Sequence, residues 1–368
     1  MKLYFNLCFI LTFIISIYSN NLFAFPSEKF SQIGFPNTLN GKDFFTIHSN
    51  FSSVNKQKQQ SNIRPISCRD HIKEIMCLVD PMKEDEDIKN RPCLEGGQSY
   101  AIHFEQLYDN YPPALQKMFC SLKRIYIENQ FFGTAYASLM YDTNGNRDGA
   151  LIGIRKSVLD ESLSLATWAS WKEQLSFGGV TDSYTVTPDL PHVTTSSNSK
   201  ANDFLYFVIT HEFGHLFDFS NNLNEQINCP EPTPENEDPE CKMAEGSWGA
   251  ISWETDRKPK PINEFQNRSG LCFYVCEGKT LNKADVPGLY ESLLKTDFVS
   301  TYSATQIWDD FAESLAYFTI DQKLASRYML NTKQGKYYDS ISKLSSPIFA
   351  TKSQYLKNFL ERTDILYP

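Results

Sequence analysis

The pentapeptide His211-Glu212-Phe213-Gly214-His215 sets two imidazoles and a carboxylate where they can do metal chemistry. Residues four apart on a helix stack on one face, so both rings can reach a single ion. Glu212, beside the first histidine, is directed at the coordination position the protein leaves open, the arrangement that activates a zinc-bound water. A third ligand must come from elsewhere. A glycine and a histidine three and six residues beyond His215 would complete the set locally, but those positions hold Asp218 and Asn221. The remaining source is a carboxylate on a second helix, and Ser303–Phe318 supplies one: Ile307, Phe311, Leu315 and Phe318 form an apolar stripe that Ser303 can cap. Asp309 and Glu313 share a face of that helix, with Asp310 turned about 100° away. One of the pair would bind metal and the other would hold a ligating histidine in its tautomer. Spacing alone leaves both assignments open.

The elements that must position these groups are legible around them. Residues 202–220 are apolar on nearly every face, the mark of a buried helix, with Asn202 as a candidate cap and Asn221-Asn222 as a stop. Burying two imidazoles and a carboxylate there is costly unless a metal satisfies them. Upstream, Pro113 opens a helix to about Ser121, followed by strands at Arg124–Glu128, Ala135–Tyr141 and Ala150–Arg155. Ala150–Arg155 is assigned as a sheet edge that pairs with an extended substrate, with Ile152 and Ile154 as its contacts. The Asp142–Gly149 connection carries oxygen-bearing side chains, but Arg147 and Gly153 stand where a calcium loop needs glycine and glutamate, so it reads as a hairpin turn.

Tyr302, Asp309 and Glu313, in the run YSATQIWDDFAE, resemble the Y-(x)6-E-x-F-A-E segment of the anthrax lethal factor and Pro-Pro endopeptidase group of zinc peptidases. The group's H-E-x-G-H-x-x-D is similar to His211–Asp218. The resemblance implies an α+β, zincin-like, two-lobed metallopeptidase of gluzincin type: a small twisted sheet, an active-site helix and a mostly helical C-terminal lobe. It also implies Asp309 as third ligand, Glu313 as its outer partner and Tyr302 as the oxyanion donor. His192 is a second candidate for that donor. One departure stands out: the ligand position holds Asp, a methylene shorter than Glu, so the helix must approach closer or Glu313 must coordinate instead.

An apolar run from Leu3 to Tyr18 and a small residue at Ala24 give residues 1–24 a signal-peptide layout and predict secretion or periplasmic export. Eight cysteines follow, an even count that implies disulfides, with Cys229–Cys241 and Cys272–Cys276 as local pairs. Residues 25–66, rich in Ser, Asn, Lys and Gln, read as a flexible leader or a propeptide. Residues 67–110 read as a disulfide-braced lead-in, and 111–368 as the metallopeptidase domain with an insert at 223–300. A net charge of −9 without a basic cluster gives no footprint for nucleic acid or anionic lipid. The expected function is a zinc-dependent endopeptidase, one Zn2+ per chain, acting on a peptide or protein with Glu212 as general base. The alternatives are an inactive zincin-fold binding protein and a zinc hydrolase of a non-peptide amide such as cell-wall material.

Overall fold

The computed structural model describes residues 67–368 except 82–87, 132, 162, 180–182, 196–200, 232, 234–238, 275–280, 325–327 and 332–336. The signal-peptide and leader segments lie outside the described residues. The architecture is mixed α+β with small sheets, as expected. Helix α1 (Cys68–Ile75) runs into β1 (Met76–Val79). Helices α2 (Ala101–Asn110) and α3 (Pro113–Ser121) then lead to β2 (Leu122–Glu128), β3 (Ala135–Tyr141) and β4 (Arg147–Arg155). These strands form one sheet in the order β1-β2-β4-β3, parallel except for the antiparallel β3.

The segment 67–110 is braced by disulfides as expected, Cys68–Cys120 and Cys77–Cys93, and it also contributes β1 as an outer strand of the main sheet. More consequential is β4. It is hydrogen-bonded to β2 on one side and β3 on the other, and Ile152 and Ile154 are fully buried. A strand has only two pairing sides, and both are taken. Ile152 and Ile154 are therefore core residues, and the edge positions belong to β1 and β3. The turn between β3 and β4 is held by Asp142, whose Oδ1 accepts from the backbone N–H of Asn144 and Asn146 at 2.8 Å each. That accounts for its composition without a metal.

After β4 come α4 (Lys156–Asp160), α5 (Leu165–Leu175), β5 (His192–Thr195) and the long α6 (Ala201–Asn221). Helix α6 is buried all round, through Phe204, Phe207, Ile209, Phe213, Leu216 and Phe217. Asn222 stops it in the left-handed conformation that asparagine tolerates, φ +52°. Asn202 does not cap: it lies inside the helix and donates to Gln106.

The insert contains a short ladder of β6 (Gln226–Ile227) with β7 (Lys242–Met243), then α7 (Gly249–Ser252) and α8 (Val286–Leu293). Disulfide Cys229–Cys241 forms as expected. Cys272 is disulfide-bonded too, and Cys276, its expected partner, lies outside the described residues. The insert is no appendage, because Trp248 and Trp253 are almost completely buried and pack beside α9 (Ile307–Leu324). A second sheet, β5-β8-β9, joins β8 (Tyr328–Asn331) and β9 (Tyr337–Asp339), and α10 (Ser340–Leu344) and α11 (Ala350–Glu361) complete the chain. Among the described residues no helix is long and apolar enough to cross a membrane.

Lys343 on α10 is buried with its Nζ donating to Leu293 O at 2.7 Å. Burial first, and nearby Lys352 second, lower its pKa from 10.5 to about 7. The unfolded chain therefore binds this proton more tightly than the folded one between those values, so stability rises with pH across that window. Lys343→Met is expected to melt higher than the parent at pH 6, by up to a few kcal/mol. The advantage should fade as pH climbs toward 10. Thermal melts of both proteins from pH 6 to 10 check this, and a pH-independent difference would refute it.

Candidate metal centre

Helices α6 and α9 pack with almost no space between them. A Cβ added at Gly214 would sit 2.6 Å from Ala312 Cα and 3.0 Å from its Cβ. This close approach lets an aspartate on α9 reach the histidines on α6. His211, His215 and Asp309 each offer one donor atom within a single small cluster, all three side chains buried. The two Nε2 atoms are 3.1 Å apart, and each is 3.5 Å from Asp309 Oδ1. Bonds of about 2.0–2.1 Å to a tetrahedral ion place its donors about 3.3 Å apart. The observed spacings bracket that value, so the set fits such an ion.

Asp309 lies in the first turn of α9, where the helix dipole favours its negative charge. Its Oδ2 is held by the side-chain amide of Gln306. Burial disfavours the charged carboxylate, but His211 and His215 outweigh it and hold the group well below the usual range. The proposed cap, Ser303, is instead part of a 3-10 turn, Tyr302–Ala304, and bonds back to Ser300. Helix α9 begins only at Ile307, four residues later than expected.

Glu313 occupies the opposite side of His211. Its Oε1 lies 3.2 Å from Nδ1, within hydrogen-bonding distance although out of line with the ring N–H. Glu313 also accepts from Lys172 Nζ and from Ser300 Oγ, both at 2.7 Å. Burial would raise its pKa, yet Lys172 and His211 hold it at about 2. Burial likewise opposes charge on His211, but Asp309 and Glu313 more than compensate and lift the ring to about 9. His215 Nδ1 is buried with no hydrogen-bond partner among the described residues. Its ring is stacked on Phe219, 5.9 Å between centroids.

Glu212 is 5% exposed, and its pKa is raised, chiefly by burial. Tyr302 lies beside His211, ring centroids 5.8 Å apart, and Phe273 packs edge-on against it. Tyr302, His211, Glu212, His215, Asp309 and Glu313 are thus gathered in one place. His192 is not: it opens β5, paired with Asn331. Asp310 is turned away as expected and bonds Lys352 and Trp253. Asp218, the last position of the extended motif, accepts from Asn224 N and Nδ2 and secures the end of α6; burial pushes it up to about 6.

Sequence reasoning missed Lys172, Gln306 and Ser300. A lysine and a glutamate inside the aromatic stretch Trp168–Leu175 were the available signal, since charges on a buried helix need partners. Comparison with protein-family models, with curated proteins and with solved structures finds no match, so the reading of this centre rests on its own geometry.

Proposed function

We propose that this protein is a zinc-dependent peptidase exported to an oxidising compartment. The observation that carries the reading is the donor set of His211, His215 and Asp309, spaced for a tetrahedral ion, with the buried Glu212 close enough to feel the charge of all three. Two histidines and a carboxylate are the ligands of a catalytic rather than a structural zinc. When bound, zinc supplies a Lewis acid for the scissile carbonyl and makes water a stronger acid. Glu212 takes the proton from the attacking water and passes it to the leaving amine. Burial raises the pKa of Glu212, which makes its carboxylate a better proton acceptor than an exposed one. Tyr302 donates its hydroxyl to the developing oxyanion. Glu313 keeps His211 oriented with Nε2 toward the ion.

The substrate backbone lies along β3, whose pairing within the described residues is to β4 alone. The zincin-type resemblance of the two motif segments supports the same assignment. Disulfides agree with an oxidising compartment.

Protein prepared without chelators is expected to carry about one zinc per chain by elemental mass spectrometry. His211→Ala should carry none and should melt at the temperature of the stripped parent. A parent that takes up no zinc at neutral pH would sink the reading. Zinc-loaded protein that cleaves wall-derived amides and no peptide would move it to the other hydrolase class.

A further inference from the structure

Lys172 is 4% exposed, and a buried lysine needs a compensating arrangement. Its Nζ donates to Glu313 Oε1 at 2.7 Å and also lies 3.8 Å from the centroid of the Tyr302 ring. A cation against an aromatic face is attracted to it and fixes its position. One ammonium group therefore touches two residues that both lie against His211. The second Glu313 oxygen is taken by Ser300 Oγ, also at 2.7 Å.

We propose that Lys172 is a positioning residue for this centre, ordering Glu313 and Tyr302 together and keeping Glu313 from becoming a ligand. The inference rests on the zinc-peptidase reading. Glu313 stands one helical turn from Asp309 on the same face, and a carboxylate of either type can bind zinc. What separates their roles is occupancy of their oxygens. Lys172 and Ser300 claim both oxygens of Glu313 and leave it to meet His211 only at Nδ1. Asp309 Oδ1 faces both histidine Nε2 atoms instead. Without Lys172, Glu313 is a buried carboxylate with one strong partner fewer, free to turn toward the ion. Tyr302 loses the cation beneath its ring at the same time.

The test compares the parent with Lys172→Met, Glu313→Gln and the double variant. Zinc affinity is measured by competition with a chromophoric chelator, and kcat and KM at saturating zinc on a peptide pool. Lys172→Met is expected to lower zinc affinity about 10- to 100-fold, the usual range for removing an outer partner of a metal ligand, because His211 loses the ordered Glu313 at its Nδ1 when that carboxylate turns away. At saturating zinc, kcat should fall with KM little changed. The effects of Lys172→Met and Glu313→Gln on affinity should be strongly non-additive, because the lysine acts through the glutamate. Should Lys172→Met fail to fold, the double variant, which removes both charges, is compared with Glu313→Gln and should match it in zinc affinity. Parent-like affinity in Lys172→Met, or additive losses, would overturn the inference and leave the peptidase reading standing. A parent that binds zinc but cleaves nothing would overturn the peptidase reading, while the affinity cycle still decides the role of Lys172. A parent that binds no zinc overturns both.

Discussion

Glu212→Gln is expected to retain its zinc and lose about 10²- to 10⁴-fold in kcat, the contribution of a well-placed general base. The amide keeps the shape of the carboxylate and cannot accept the proton. Because Glu212 is buried and its pKa is raised by that burial, the neutral side chain relieves a desolvation cost. The variant should therefore melt at or above the parent temperature. This combination of full metal content, intact stability and lost turnover separates a catalytic role from a structural one. A variant within fivefold of the parent would remove Glu212 from the mechanism.

Gly214→Ala should have the second-largest effect, through a different route. Its new methyl group would meet the Ala312 backbone at 2.6 Å, so α6 and α9 must part. Overpacking of this kind costs about 1–3 kcal/mol. The more telling loss is metal affinity, expected at about 10-fold or more because the short Asp309 side chain cannot follow its partners. Two companions sharpen the test. Ala312→Gly should give little rescue, since the nearest clash is with a Cα that remains. Asp309→Glu, a methylene longer, should restore part of the affinity in the Gly214→Ala background while offering nothing in the parent. Isothermal titration with zinc reads all five proteins. Equal affinities in parent and Gly214→Ala would show that helix spacing does not set the site.

The sequence exposed the parts of this site that obey a local period. His211 and His215 are four apart, Asp309 and Glu313 likewise, and helical geometry does the rest. The ambiguity between the two acids was not resolvable from spacing, because both lie on the same face. It turns on Lys172 and Ser300, whose positions relative to Glu313 are set by tertiary packing. Helix and strand boundaries for α3 and β3 were legible from Pro113 and from alternation. The interior place of β4 was not, since an apolar strand reads alike at an edge or in the middle. Ser303 looked like a cap by residue type, yet its hydroxyl was committed to Ser300. The parallel strand β1 went unread because its partners lie more than forty residues downstream.

The donor atoms come from two places in the chain, with Trp248 and Trp253 buried between them in sequence and against the helix that carries Asp309. A polypeptide made from its first residue onward presents both histidines long before that aspartate exists. Two imidazoles alone are an incomplete ligand set, and on the proposed reading they can share an ion with Asp309 only once the intervening segment has packed. Metal acquisition would then be a late event in the life of the molecule, taking place where folding finishes. Under the same proposal, the zinc supply that matters is the one in the surroundings that oxidise Cys229 and Cys241.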